Sequence, residues 1–189
     1  MARWQPHAAE RLVAAALELF EQRGYENTTV IEIAERAGLT KSTFFRHFPD
    51  KREVLFGGGT MTDLLLEGIT TAPPEASPLE AVGHALDLIG QKAFTPDRRA
   101  FGARRQAVIT AHPELREREA LKGLRLTAAM TEALHHRGTP ALPARVTAEL
   151  AALAWKIAYE RWTAPANTED FGALARQTIT EVQAAAARC

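Results

Sequence analysis

Apolar residues recur at helical spacing along nearly the whole chain, and no stretch alternates apolar and polar positions as a half-buried strand does. The pattern predicts an all-α protein of about nine helices. Ala9, Leu12, Val13, Ala16, Leu19 and Phe20 form a first stripe, from about His7 to Arg23, which Gly24 stops. Val30, Ile33, Ala34 and Ala37 form a second, with Glu32, Glu35 and Arg36 left outside. Thr29 and Glu32 have the spacing of a capping box, which starts this helix near Val30, and Gly38 ends it by accepting the left-handed conformation. Leu39 packs the turn and Thr40 caps a short third helix, Lys41 to about His47. Its buried side is Phe44 with Phe48 one turn on, and the other side carries Lys41, Ser42, Thr43, Phe45, Arg46 and His47. Pro49 stops it, and Asp50 with Glu53 opens another helix.

Further along, the segment from Ala72 to Pro78 breaks the chain, and Leu79, Val82, Leu86 and Ile89 line a helix reaching about Phe94. Thr95-Pro96-Asp97 starts the next, which runs to about His112 through Phe101, Val108 and Ile109. Pro113 opens a long helix to Arg137 with Leu115, Leu121, Leu124, Ala128, Met130 and Leu134 as its apolar members. Gly138, Pro140 and Pro143 mark a loop, followed by alanine-rich helices over about Ala144 to Thr163 and Thr168 to Arg188.

Charge makes the second and third helices chemically distinct. The chain carries 23 basic and 23 acidic residues, so it has no global attraction for nucleic acid. Between Leu39 and Arg52, however, Lys41, Arg46, Lys51 and Arg52 face one acid, Asp50. A helix–glycine turn–helix with a basic, hydroxyl-bearing outer face suits a DNA groove, and affinity built on so local a patch falls steeply with salt. Short helical hairpins also occur in all-helical interaction modules that bind protein, which is the alternative class. The 46% apolar content supplies a globular core, no run approaches a membrane span, and no signal-peptide pattern is present. The one cysteine, Cys189, forms no internal disulfide, which fits a reducing cytoplasm. Six histidines show no metal-ligand spacing, and neither a phosphate loop nor a nucleophile elbow occurs. No enzyme activity, metal or cofactor is expected.

The run Phe20, Gly24, Tyr25, Thr28-Thr29-Val30, Ile33-Ala34, Ala37-Gly38-Leu39-Thr40-Lys41, Phe44-Phe45-Arg46-His47-Phe48 and Lys51 closely resembles the tetracycline-repressor (TetR) family of one-component bacterial regulators. The resemblance implies a DNA-binding domain over 1–56 and a helical ligand-binding and dimerisation domain over 57–189. It makes Lys41 to His47 the recognition helix, with base contacts from Lys41, Ser42, Thr43 and Arg46 and phosphate contacts from Thr29, Thr40, His47 and Lys51. Position 45 is often tyrosine in this family. Phe45 lacks that phosphate donor, while its ring can still meet sugar or a thymine methyl. By the same analogy the helix opened at Asp50 runs to about Thr71, although it contains Gly57-Gly58-Gly59. Each glycine disfavours helix by about 1 kcal/mol relative to alanine. The triplet thus breaks the helix or softens a joint through which ligand binding rotates the heads; a close packing contact is the plainer explanation.

Two further expectations concern assembly and ligand. Val146, Leu150, Leu153 and Ile157, and Phe171, Leu174, Ile179 and Val182, form stripes on helices whose remaining faces are rich in alanine. Such helices are buried on more than one face, either as central helices or, as the resemblance favours, at a homodimer interface reading a two-fold symmetric operator. Met61, Phe94, Phe101, Met130, Trp155, Tyr159 and Trp162 supply bulky side chains for an effector pocket or for plain core, with Arg105 in a basic segment at a pocket mouth or on a solvated face. The segments around His112 and around Tyr159 to Trp162 resemble, loosely, TetR-type regulators with apolar or acyl-type small-molecule effectors.

Overall fold

The computed structural model describes residues 7–57 and 60–188. Gly58, Gly59 and Cys189, on which expectations above fell, lie outside that range. The described residues form nine α-helices and no strand, divided between two compact units.

The first unit spans Met1–Gly58 and Arg104–Glu119. It holds α1 (Ala8–Arg23), α2 (Val30–Arg36), α3 (Lys41–His47), a 3-10 turn (Arg52–Leu55), the end of α6 (Arg99–Ala111) and the start of α7 (Pro113–His136). Leu12, Leu19, Phe20, Tyr25, Ile33, Phe44, Phe48, Val54, Ile109 and Leu115 are all buried. Each fully buried side chain of this kind contributes roughly 1.5–3 kcal/mol of transfer free energy. Between α1 and α2 the buried Thr28 hydroxyl donates to the Gly24 carbonyl at 2.9 Å, sealing the end of α1. Gly38 has φ +64°, a left-handed conformation that favours glycine, and its neighbour Ala37 accepts from Arg11 Nη2 at its carbonyl.

The helix expected from Asp50 to Thr71 does not form as one piece. Asp50 Oδ1 accepts from the Glu53 amide at 2.9 Å, and the Glu53 carboxylate pairs with Arg118. Only the 3-10 turn results. Gly57 then takes φ +65°, outside any right-handed helix, and α4 (Thr60–Thr71) begins anew.

The second unit spans Gly59–Ala103 and Ala120–Cys189. It contains α4, α5 (Pro78–Lys92), most of α7, α8 (Ala141–Thr163) and α9 (Phe171–Ala186). A capping box of Ser77 and Glu80, with Pro78 at the first helical position, starts α5. α4 and α5 approach closely at Gly68, where a Cβ would lie 2.3 Å from Ala85 Cα. α8 starts at Ala141 rather than Ala144, because Pro143 falls in the first turn, where a missing N–H costs nothing. Leu65, Ile69, Val82, Leu86, Ile89, Met130, Leu134, Trp162, Phe171 and Leu174 belong to one core. Leu121 and Leu124 of α7, expected inside, are exposed. No helix of the described residues is long and apolar enough to cross a membrane.

Candidate nucleic-acid interface

α3 is pinned from beneath and bare above. Phe44 and Phe48 are buried, their ring centroids 5.6 Å apart, while Thr40 caps the helix by accepting from the Thr43 amide at 3.1 Å. The two hydroxyls of Thr40 and Thr43 also share a hydrogen bond of 3.0 Å. Lys41, Ser42, Phe45, Arg46 and His47 are exposed, with Thr43 half-buried. Among the described residues Ser42 and Arg46 have no side-chain partner, and Lys41 Nζ lies 6.0 Å from the Phe45 ring centroid. The exposed Ile31 of α2 adds apolar surface to the head that the sequence did not single out.

Besides Thr40, whose hydroxyl caps α3, two more of the expected phosphate ligands are engaged within the chain. Lys51 Nζ donates to the carbonyls of Tyr25 and Thr28 at 2.8 and 3.0 Å and sits 4.0 Å from the Tyr25 ring centroid, so its charge seals the α1–α2 loop. Thr29 donates both its amide and its hydroxyl to Glu32 Oε2, each at 2.8 Å, and its oxygen accepts the Glu32 amide. Those bonds, with Arg23, hold the Glu32 carboxyl below its ordinary value. Arg52 donates to Asp50 at 3.2 Å. Burial acts to raise the Asp50 carboxyl, yet the Glu53 amide and Arg52 outweigh it and hold it low. The basic patch thus narrows to Lys41 and Arg46, with His47 beside them.

Arg104–Glu119 braces this head, a role that local periodicity does not reveal. Arg118 Nε and Nη2 both donate to Glu53 Oε2, at 2.8 and 2.5 Å. Arg104 pairs with Glu21 at 2.5 Å and depresses its carboxyl. His112 lies 5.6 Å from Tyr25, centroid to centroid, and burial pushes the Tyr25 phenol up. Arg105, expected at a pocket mouth, instead donates to the Leu55 carbonyl at 2.6 Å and lies over the Phe56 ring. The only sequence signal for the brace is the run of arginines itself.

The other effector candidates divide. Phe94, Trp155, Tyr159 and Trp162 meet in one aromatic cluster with Phe171, the closest pair being Phe94 and Phe171 at 4.6 Å. Met130 is core and Met61 packs against it, whereas Phe101 is half-buried outside the cluster. α8 sorts its faces by size. Ala144, Ala148, Ala151, Ala154 and Ala158 are buried, while Leu142, Val146 and Leu153 are 73%, 48% and 49% exposed. Leu150 and Ile157 are half-buried. Phe171, Leu174, Ile179 and Val182 of α9, expected either at a dimer interface or as central-helix positions, are buried in their own chain's core.

A capped helix with an exposed outer face, held on a three-helix head, has the form of a helix-turn-helix motif. The head carries the family signal: residues 12–56 match the model of the bacterial regulatory proteins of the tetR family. Its first 77-residue match to a curated relative is 40% identical, to the HTH-type transcriptional regulator TcmR of Streptomyces glaucescens, covering 40% of this chain and 34% of that protein. SrpR of Pseudomonas putida is 41% identical over 46 residues, 24% of this chain and 22% of SrpR. The chain therefore matches about a third or less of these relatives' length. The fold is shared more widely. Thermus thermophilus FadR, a TetR-family repressor in complex with lauroyl-CoA, superposes with a TM-score of 0.53 at 23% identity, over 93% of each chain. A SmeT–triclosan complex superposes at 0.62 and 16% identity, over 94% of this chain and 90% of that one.

Proposed function

We propose that this chain is a DNA-binding transcriptional repressor that grips a palindromic operator as a homodimer and releases it when a small apolar or acyl-type effector binds the helical domain. The observation that carries the DNA part is the outer face of α3, where Lys41, Ser42 and Arg46 stand exposed on a helix fixed by Thr40, Phe44 and Phe48. Arg46 and Lys41 suit guanine edges, Ser42 and Thr43 either purine or pyrimidine edges, and Phe45 a thymine methyl. Thr40, His47 and the N-terminal amides of α3 serve phosphates. Lys51 and Thr29 support the head in the free protein rather than waiting as open phosphate ligands.

Dimerisation is supported by the size-sorted faces of α8. Burying alanines and exposing Leu142, Val146 and Leu153 costs stability in a monomer, and a second copy relieves it. Two α3 helices roughly one DNA turn apart, about 34 Å, or at a larger spacing then read a two-fold operator. The effector part draws on the aromatic cluster and on the ligands named for FadR and SmeT.

Gel shift on random duplex at graded salt tests the DNA reading: affinity should drop steeply as salt rises, since phosphate neutralisation releases counterions. An interaction module that binds protein shows neither duplex binding nor a salt slope. Selection from a random duplex pool should then return an inverted repeat.

A further inference from the structure

Two buried hydrogen-bond donors in the second unit, Arg99 Nε and Trp162 Nε1, have no acceptor. Trp162 is 1% exposed, so bulk water does not reach its indole nitrogen. The guanidinium carbon of Arg99 lies 6.0 Å from the Trp162 ring, which places both donors in one neighbourhood. Arg99 is also an arginine without an anion: its Nη1 and Nη2 donate to the carbonyls of Asn167 and Glu169, and it has no ion pair among the described residues. Buried donors are almost always satisfied, and a partly buried cation without counter-charge is costly, so an acceptor that carries negative charge is the missing element.

The walls around these donors are aromatic. Phe94 sits 5.2 Å from Trp162 and 4.6 Å from Phe171, and Tyr159 lies 5.8 Å from Trp162. Gly102 keeps the backbone of α6 against these rings, since a Cβ there would meet Trp162 Cζ3 at 2.9 Å and the Tyr159 hydroxyl at 3.1 Å. One side is closed by the loop from Ala164 to Asp170, tied to Arg99 through two carbonyls and to Trp162 through the Asn167 amide at 3.3 Å. An open groove of about 330 Å³ runs along that loop, lined by Ala164, Asn167, Glu169 and Leu174 among others.

Resting on the effector reading above, we infer that the effector is an aromatic carboxylate. Its carboxylate oxygens accept from Arg99 Nε and Trp162 Nε1, and its ring enters the cluster of Phe94, Tyr159 and Phe171 as the loop from Ala164 to Asp170 lifts. A carboxylate offers one oxygen to each of the two N–H donors, and its aromatic body packs edge-to-face with these rings once the loop has lifted.

The test uses the full chain, calorimetric titration and operator release, with 1-naphthylacetate as probe and 2-(1-naphthyl)ethanol as its neutral counterpart. The carboxylate should bind at least about tenfold tighter than the alcohol, the gain of one charge-assisted hydrogen bond. Trp162→Phe keeps an aromatic ring but deletes the donor, and should cut carboxylate affinity about tenfold while affecting the alcohol less. Should that variant misfold by circular dichroism, Arg99→Lys carries the same expectation. Equal binding of the two probes by the wild type, or an equal loss for both in the variants, overturns the carboxylate assignment and leaves an effector site standing. Failure of both probes to bind, or of a bound carboxylate to loosen an operator complex that otherwise forms, overturns the assignment together with the reading beneath it.

Discussion

Replacing Arg118 by methionine should lower the stability of the chain by about 2–3 kcal/mol. The Glu53 side chain is only 10% exposed and that of Arg118 22%, and both guanidinium donors converge on one carboxylate oxygen. Removing one partner of a fully buried ion pair costs roughly 3–5 kcal/mol, because the remaining charge stays desolvated. The residual exposure of Arg118 lets water reach part of the site, which sets the expectation below that range. An exposed pair provides the internal control: Lys92 and Glu67 are 48% and 49% exposed, and Lys92→Met should cost no more than about 1 kcal/mol. Urea unfolding followed by circular dichroism measures both. The double variant Glu53→Gln with Arg118→Met should recover part of the loss, giving a coupling energy of about 2 kcal/mol in a double-mutant cycle. If Arg118→Met proves no more harmful than Lys92→Met, the pair is a surface contact and the brace does not hold the head.

Arg46→Ala should remove about 1–3 kcal/mol of discrimination between the preferred operator and a single-base variant, measured by fluorescence anisotropy. Lys51→Met should instead lower the melting temperature of the chain, through loss of two part-buried hydrogen bonds to backbone carbonyls worth about 1–3 kcal/mol together. Val146→Glu with Leu153→Glu should shift the protein to monomer in sedimentation velocity and weaken operator binding without altering the helical circular dichroism spectrum. The Glu21 carboxyl is depressed by its hydrogen bond to Arg104, so its contribution is present above the ordinary glutamate value of about 4.3 and is lost as pH falls through the lower folded value. Arg104→Gln should therefore flatten the acid limb of the stability–pH curve, and an unchanged limb would mean that this pair is not linked to folding.

The head was legible in the sequence because each of its boundaries has a local chemical cause. Thr29 with Glu32, Gly38 and Thr40 set helix ends through bonds within four residues of one another, and Phe44 and Phe48 show the inward face at plain helical spacing. What escaped was the use of long side chains. Lys51 reaches 26 residues back to the Tyr25 carbonyl, and Arg118 reaches 65 residues back to Glu53. Spacing along the chain carries no information about either. The same blindness affected Asp50 and Glu53: the box spacing is present and a distant guanidinium pairs with the second carboxylate, yet the helix it should have opened stops within one turn.

α8 and α9 were harder to read for a different reason. Their stripes of large and small apolar residues lie on opposite faces of one helix, and periodicity alone gives both the same standing. Size breaks the tie only once the neighbour is known. α9 brings Phe171, Leu174, Ile179 and Val182 to the shared core, all bulky, so α8 must meet it with Ala144, Ala148, Ala151 and Ala158 for the two helices to approach. Bulk on both sides would force the axes apart and leave voids, each costing stability with its volume. The larger residues of α8 are thereby displaced to the outside. Their exposure is a consequence of how this chain packs against itself, and it leaves an apolar stripe, Leu142, Val146 and Leu153, on the outer face of α8.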